Sequence, residues 1–557
     1  MLQLRVARTR RVALIGLAGA LAFSMSACAE SERGSGGGEG GTFVFGSAGA
    51  PAHFDPFFAS DGETFRVTRQ IYENLVGLKP GTAELEPELA TEWEGSEDGK
   101  TWTFQLQEGV TFHDGTPFNA EAVCANFERM YNQTGAGASS ATAYYWTNNF
   151  GGFADDDKDS LYESCSATGE HTVEMTLTRF TADFPTMLSQ DAFSMQSPTA
   201  MEEYDANGIE AQGDSFVFPE YARQHPTGTG PFTFDSYDEA NGTVTLKRND
   251  DYWGEKAKLN TLIFRAIPDE TARKQALEAG DIDGYDFPSP SDWAALEDAG
   301  FKVEIRDPFN ILYLGITQKN NPALKDLKVR QALAHAIDRE ALVSSIMPEN
   351  SEVATQMYPD TVDGYAEDVQ KYPHDPDKAK QLLAEAGHED LTVELWWPTQ
   401  VTRPYLPNPQ AVFGALREDL EQVGITVEPI SKPWNGGYTD GIEEARAQLF
   451  LLGWTGDINS PDNFLGSFFN DPEGQFYTAG SPWGEQLSQE LKDALATVDD
   501  AEREAKYQEI NRKLMSEYLP AIPLSHSPPA LVLAPEVEGL VPSPLTKEEF
   551  ATVSIAE

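Results

Sequence analysis

The chain is short of cysteine, histidine and basic residues, and each shortage removes a class of function. Its 557 residues include three cysteines and eight histidines. There is no Cys-x-x-Cys and the histidines do not cluster, so no metal site is expected. Neither a Gly-x-Ser-x-Gly elbow nor a His-Glu-x-x-His pair occurs, which leaves a hydrolase without its usual nucleophile or metal. No catalytic residue, cofactor or enzymatic activity is therefore expected. Lysine and arginine total 40 against 90 aspartate and glutamate, a net charge of −50. So acidic a surface repels nucleic acid and anionic lipid headgroups, and argues against both as partners. Disorder is not implied, because 40% of the residues are hydrophobic and 11% aromatic, enough to build cores.

The one long apolar run lies near the start. Arg5, Arg8, Arg10 and Arg11 precede Val12 to Phe23, followed by Ser24-Met25-Ser26-Ala27-Cys28. A basic segment, a short apolar core and small residues describe an export signal over 1–27. The core is shorter than the about 20 residues that a bilayer span needs. Cys28, directly behind the small residues, resembles the acylated cysteine of a bacterial lipobox, with Met25 where leucine is commoner. An uncleaved anchor is the alternative, and it leaves the position of Cys28 unexplained. Residues 28–41 are rich in Gly, Ser and Glu and suit a flexible tether. Loss of residues 1–27 would remove four arginines and no acid, leaving −54. The expected address is extracytoplasmic, lipid-anchored to the outer face of the cell membrane. Cys124 and Cys165 then remain as an even pair in a compartment that permits disulfides. Two buried free thiols are the alternative.

Beyond the tether the chain is too long for one ordinary core, so two or three domains are expected. Trp102, Phe104 and Leu106 alternate behind the turn Ser96-Glu97-Asp98-Gly99, the pattern of a half-buried strand. Val329, Leu333, Ala336 and Ile337 share one helix face. Asp375-Pro376 opens, and Gly387 closes, a helix carrying Ala379, Leu382, Leu383 and Ala386. Leu391 to Trp397 reads as a strand, the segment with Val412, Leu416, Leu420 and Val423 as a helix, and Ile425 to Ile430 as another strand. That alternation predicts a parallel sheet with crossover connections. Leu449 to Leu452 reads as a strand covered on both faces.

Two loops come directly after these apolar runs. Thr402-Arg403-Pro404-Tyr405-Leu406-Pro407-Asn408-Pro409 offers a cation at Arg403, and Gly453-Trp454-Thr455-Gly456-Asp457-Ile458-Asn459-Ser460-Pro461-Asp462-Asn463-Phe464 offers an anion at Asp457. In open α/β sheets ligands bind beyond the carboxyl ends of the strands, where both loops lie. Arg403 and Asp457 could hold the two ends of a small zwitterion. Ordinary surface charges are the alternative, since strand order cannot be read from one sequence.

Several motifs carry a resemblance over nearly the whole mature chain. Ala90-Thr91-Glu92-Trp93-Glu94, Asp98-Gly99-Lys100-Thr101-Trp102-Thr103-Phe104 and Phe112-His113-Asp114-Gly115 resemble the signature of family 5 extracellular solute-binding proteins, the peptide and nickel receptors of ABC importers. Gly228-Thr229-Gly230-Pro231-Phe232, Asp251-Tyr252-Trp253-Gly254, Val329-Arg330-Gln331-Ala332-Leu333 and Asp375-Pro376-Asp377-Lys378-Ala379 are similar in the same order. The two charged loops are similar to those of dipeptide-binding members. By that resemblance Asp457 takes the peptide ammonium and Arg403 its carboxylate, with Tyr405, Trp454 and Gly456 beside them. Leu406 and Ile458-Asn459-Ser460 depart from the family pattern.

The resemblance implies an α/β fold of the periplasmic-binding-protein type (type II, cluster C), with two lobes joined by hinge strands and an extra inserted domain. Residues 42–85, 220–305 and 525–557 would form lobe 1, residues 86–219 the inserted domain and residues 306–524 lobe 2, with hinges near 311–317 and 522–527. It implies a monomeric receptor that closes on a dipeptide or other short peptide and delivers it to an ABC permease and ATPase complex. Longer oligopeptides, nickel complexes, haem or another small nutrient are alternatives within that class, and a surface-anchored hydrolase is the remote one.

Overall fold

The computed structural model describes residues 40–156, 158–213 and 215–556; Cys28 and the signal lie outside them. Three sheets organise the chain. Thr42–Ser47 sits inside a seven-stranded sheet, parallel to Thr261–Ala266 on one side and to Gly284–Asp286 on the other. Asn310–Ile316, Leu449–Thr455, Thr392–Thr399 and Thr426–Pro433 run in that order across a six-stranded sheet, with Ala521–His526 on the other side of Asn310–Ile316. A four-stranded antiparallel sheet is built by Ala90–Gly95, Thr101–Leu106, Thr172–Leu177 and Tyr162–Gly169. It packs against the helix Ala120–Tyr131, and a disulfide joins Cys124 of that helix to Cys165 of the sheet.

The bridge separates partners 41 positions apart. In the chain-entropy account a loop of that size contributes about 4 kcal/mol, with about 2–4 typical of measured bridges. Replacing both cysteines by serine should therefore lower the stability of the four-stranded sheet region by about 2–4 kcal/mol. Urea unfolding of the double variant, set beside the wild type with and without reductant, measures it.

The helices obey their local signals. Asp375 caps Pro376–Ala386 by accepting from the Lys378 amide at 2.8 Å, and Gly387 ends the helix in the left-handed conformation with φ 73°. Asn408 caps Pro409–Gln422 and Ser460 caps Pro461–Phe469, each with proline at the first helical position. The strand–helix–strand unit predicted over 391–430 forms, and Thr392–Thr399 pairs in parallel with both Thr426–Pro433 and Leu449–Thr455. The rest of that sheet is not parallel. Asn310–Ile316 is antiparallel to Leu449–Thr455 and to Ala521–His526, so the six-stranded sheet is mixed.

The chain passes between the two large sheets twice, and this is what joins the lobes. It leaves the seven-stranded sheet after Ile305 and enters the six-stranded one at Asn310; it returns between His526 and Ala530. The crossings thus flank the segments 311–317 and 522–527. Those segments are strands of the six-stranded sheet, and every residue of Asn310–Ile316 and Ala521–His526 is buried. The crossings are tied to each other. The Asn310 side chain donates to the Ser527 carbonyl at 2.6 Å and accepts from the Ser527 amide at 3.1 Å, and the Arg306 amide donates to the Pro529 carbonyl at 2.9 Å.

Candidate ligand-binding cleft

The two charged loops are pinned at both ends. Each leaves a strand of the six-stranded sheet and runs into a capped, proline-initiated helix. Because Thr392–Thr399 and Leu449–Thr455 are parallel neighbours, with Leu395 opposite Leu449 and Trp396 opposite Phe450, both loops emerge at the same sheet edge. That edge opens on a cleft of about 1430 Å³ whose far wall comes from the seven-stranded sheet, with Phe287, Pro288 and Trp293 among its residues.

Arg403, Tyr405, Trp454, Gly456 and Asp457 all line this cleft. Arg403 is held by a tight turn: its amide donates to the Leu406 carbonyl at 3.2 Å and the Leu406 amide returns the bond at 2.9 Å. Its guanidinium lies over the Trp434 ring, 4.5 Å from the centroid, and its buried Nε has no hydrogen-bond partner. Among the described residues no carboxylate pairs with it. Other cleft cations are committed, Arg66 to Asp286 and Arg69 to Asp191. An arginine stacked on an aromatic face with its fork uncommitted is preset to take a planar anion.

Tyr405 is buried, and its ring lies where a Cβ on Gly453 would stand, 2.4 Å from Cδ2. Glycine at 453 is therefore what lets the arginine loop lie flat on the aspartate strand. Gly456 serves packing in the same way, since a Cβ there would come within 2.3 Å of Phe309 and 2.9 Å of Phe464. Burial pushes the Tyr405 hydroxyl up to about 12, offset in part by Arg403, so it stays a neutral donor.

Asp457 is half-buried. Asn463 fixes its loop, with the side-chain oxygen accepting from the Asp457 amide at 2.9 Å and from the Trp454 indole at 3.3 Å. The Tyr145 hydroxyl, from the helix Tyr144–Asn149, donates to Asp457 Oδ1 at 3.3 Å. Burial raises the Asp457 carboxyl above its ordinary value; Lys547, Asn463 and Tyr145 oppose that, and Asp191 adds to it. Lys547 donates to the Ser189 carbonyl at 3.0 Å, lies 4.0 Å from Asp191, and is pushed down by burial. A cationic ligand group reaching Asp457 would relieve that burial cost by supplying a full counter-charge. Sequence reasoning misses Trp434, Tyr145 and Lys547, which reach the cleft from distant parts of the chain. The arrangement offers a cation with its fork uncommitted and a carboxylate raised by burial, and among the described residues no hydrogen bond links a cleft nucleophile to a base.

Comparison with known proteins agrees with this frame. Residues 84–476 match the family described as bacterial extracellular solute-binding proteins, family 5 Middle. The chain belongs to this family. Its members are the solute receptors of ABC importers, with two lobes and an extra inserted domain in the type II periplasmic-binding-protein fold. Over 524 residues this family 5 chain is 32% identical to the dipeptide-binding protein of Escherichia coli (strain K12), covering 92% of the one and 94% of the other. It is 30% identical to heme-binding protein A of Haemophilus influenzae, covering 92% of each. The structure of a Pseudoalteromonas dipeptide-binding protein in complex with Met-Leu superposes with a TM-score of 0.73 at 27% identity, over 92% of this chain and all of that one. Among the described residues of this family 5 protein no helix is long and apolar enough to cross a membrane.

Proposed function

We propose that this protein is the dipeptide-capturing receptor of an ABC importer, held to the outer face of the membrane by acylated Cys28. The observation that carries the reading is the placement of an unpaired guanidinium and a half-buried carboxylate on loops leaving neighbouring parallel strands at the mouth of one cleft. Asp457 takes the peptide ammonium and Arg403 its carboxylate. Tyr405, Trp454 and Gly456 form the wall between them.

The two lobes close about the crossings and shut the ligand away from water. In that low-dielectric setting each ion pair is stronger than at a surface, although desolvation offsets much of the gain. Arginine suits the carboxylate because its fork binds two oxygens at once. A fixed distance between the anchors sets length. An extended residue adds roughly 3.4 Å, so a third residue carries one terminus out of reach. Side chains between the anchors meet aromatic surface and water, which tolerate variety. The closed receptor, as a monomer, is what the permease and ATPase complex engages, and no bond in the ligand is broken.

Titration calorimetry with di-, tri- and tetrapeptides, and with dipeptides blocked at either end, tests the reading. Free dipeptides should bind, and N-acetylation or C-amidation should each weaken binding by about ten-fold or more, as the loss of one charged partner requires. The heme-binding relative makes haem the competing ligand. Haem binding without dipeptide binding, or indifference to blocked termini, would sink the dipeptide assignment.

A further inference from the structure

The inserted domain belongs mechanically to the seven-stranded lobe. The Met195 amide donates to the Glu73 carbonyl at 2.8 Å, and Arg129 pairs with Asp55 at 2.5 Å. It also touches the six-stranded lobe across the cleft, and those contacts are few. Besides Tyr145 on Asp457, the Ala182 amide donates to the Leu495 carbonyl at 3.2 Å, and Asp183 meets Ser460. The last of these has an unusual make-up. Asp183 stands immediately before the short helix Phe184–Met187 but does not cap it. Its Oδ2 instead accepts from the Ser460 hydroxyl at 2.6 Å, and that hydroxyl accepts from the Asp462 amide at 3.1 Å. The Asp462 carboxylate lies against its own helix, where a Cβ on Gly466 would come within 2.5 Å of it. Its Oδ1 is buried with no hydrogen-bond partner, and so is the hydroxyl of Tyr507, which is 2% exposed and faces both acids.

We propose that Asp183 and Asp462 form a proton-operated latch: the two carboxylates take up a proton as the lobes meet and release it as they part.

The two half-buried acids meet at Ser460, and each negative charge there disfavours the other. The groups facing them are few. On Asp183 bear Ser460, the charge of Arg503 and the Asp462 carboxyl; on Asp462 bear Asp183, Asn470 and Tyr507. Arg503 is already spent, with one nitrogen 2.6 Å from Asp500 and another 3.0 Å from the Thr497 carbonyl. A proton on either acid removes the repulsion and turns a bare oxygen into a donor. Burial pushes Asp183 up to about 6, against Ser460 and Arg503, and burial together with the charge of Asp183 pushes Asp462 up to about 7. Parting the lobes takes Asp183 away from Ser460 and Asp462 and ends their mutual repulsion, so both acids move down toward the ordinary aspartate value of about 3.9. The joined state therefore holds more protons between about pH 4 and pH 7. Its raised carboxyls favour joining at low pH and lose that advantage as pH climbs through about 6 to 7.

The latch concerns the lobes whatever the ligand, and Asp457 titrates in the opposite sense on ligand binding, so the test uses ligand-free protein. Small-angle X-ray scattering of the full chain should show a smaller radius of gyration at about pH 5.5 than at about pH 8, with a midpoint between about 6 and 7. Asp462→Asn supplies a permanent donor in place of the proton and should leave the molecule compact at both pH values. Asp183→Asn should do the same and guards against a folding defect in the first variant. A wild-type radius that does not change with pH, or a pH response that both variants retain, overturns the latch.

Discussion

Asp457→Asn and Arg403→Ala should each weaken dipeptide binding by about 2–5 kcal/mol, the cost of leaving one charged group of a buried pair without its partner. The two losses have different signatures. Arg403 is half-buried, pairs with no carboxylate among the described residues and stacks only on Trp434, so its removal should leave the melting temperature of the empty protein nearly unchanged while affinity falls. Asp457 is a carboxylate that burial has already raised, so asparagine there relieves a cost in the empty cleft and removes the ammonium site together. The pH profiles should diverge as well. The ammonium of a bound peptide pulls the Asp457 carboxyl back down, so that binding is fully supported above its ligand-free value and fades as pH falls through it. That acid limb should persist in Arg403→Ala and vanish in Asp457→Asn. Calorimetry over a pH series measures both terms. Equal affinity in both variants and the wild type would remove the anchors.

How much of this cleft is legible in the sequence depends on how local each signal is. The loops declare themselves because a buried strand before them and a cap-plus-proline pair behind them, Asn408-Pro409 and Ser460-Pro461, are short-range features. What those features cannot supply is adjacency. That Arg403 and Asp457 share an edge comes from the pairing of Leu395 with Leu449, a fact of strand order. Tyr145 reaches Asp457 from 312 positions away, and Trp434 sits under Arg403 through a fold of the chain that no periodicity records. Sheet direction fails for a related reason. The strands at 392–399, 426–433 and 449–455 succeed one another through helices and are parallel, whereas Asn310–Ile316 and Ala521–His526 arrive through the crossings and run against their neighbours. Hydrophobicity alone does not separate the crossings from the strands beside them, because a fully buried central strand and a lobe-joining strand look alike by that measure.

The crossings also hold a buried network of matched charges. Arg306, fully buried where the chain leaves the seven-stranded sheet, is 2.8 Å from Asp286 and 2.6 Å from Glu548, and stacks over Phe287. Asp286 in turn accepts from Arg66, and Glu548 accepts from the Ser543 amide at 3.0 Å. Burial alone would raise the Asp286 carboxyl, but Arg306 and Arg66 together hold it below its ordinary value. Arg306→Met keeps much of the stem volume and strips the charge, leaving Glu548 without a counter-charge and Asp286 with Arg66 as its remaining cation. Breaking a buried network in this way costs about 3–5 kcal/mol, which denaturant unfolding of the lobes would register. The sign with pH is set by the lowered carboxyl: its contribution is present above the ordinary aspartate range and is lost as pH falls through the native value, so the gap between wild type and variant should narrow in acid. A second substitution separates charge from shape. Adding Glu548→Gln to Arg306→Met removes the carboxylate that was left without a counter-charge, and should restore part of the stability even though one more ion has been deleted. If the double variant is instead weaker than the single by a full further increment, the network holds the crossing through packing rather than through matched charge.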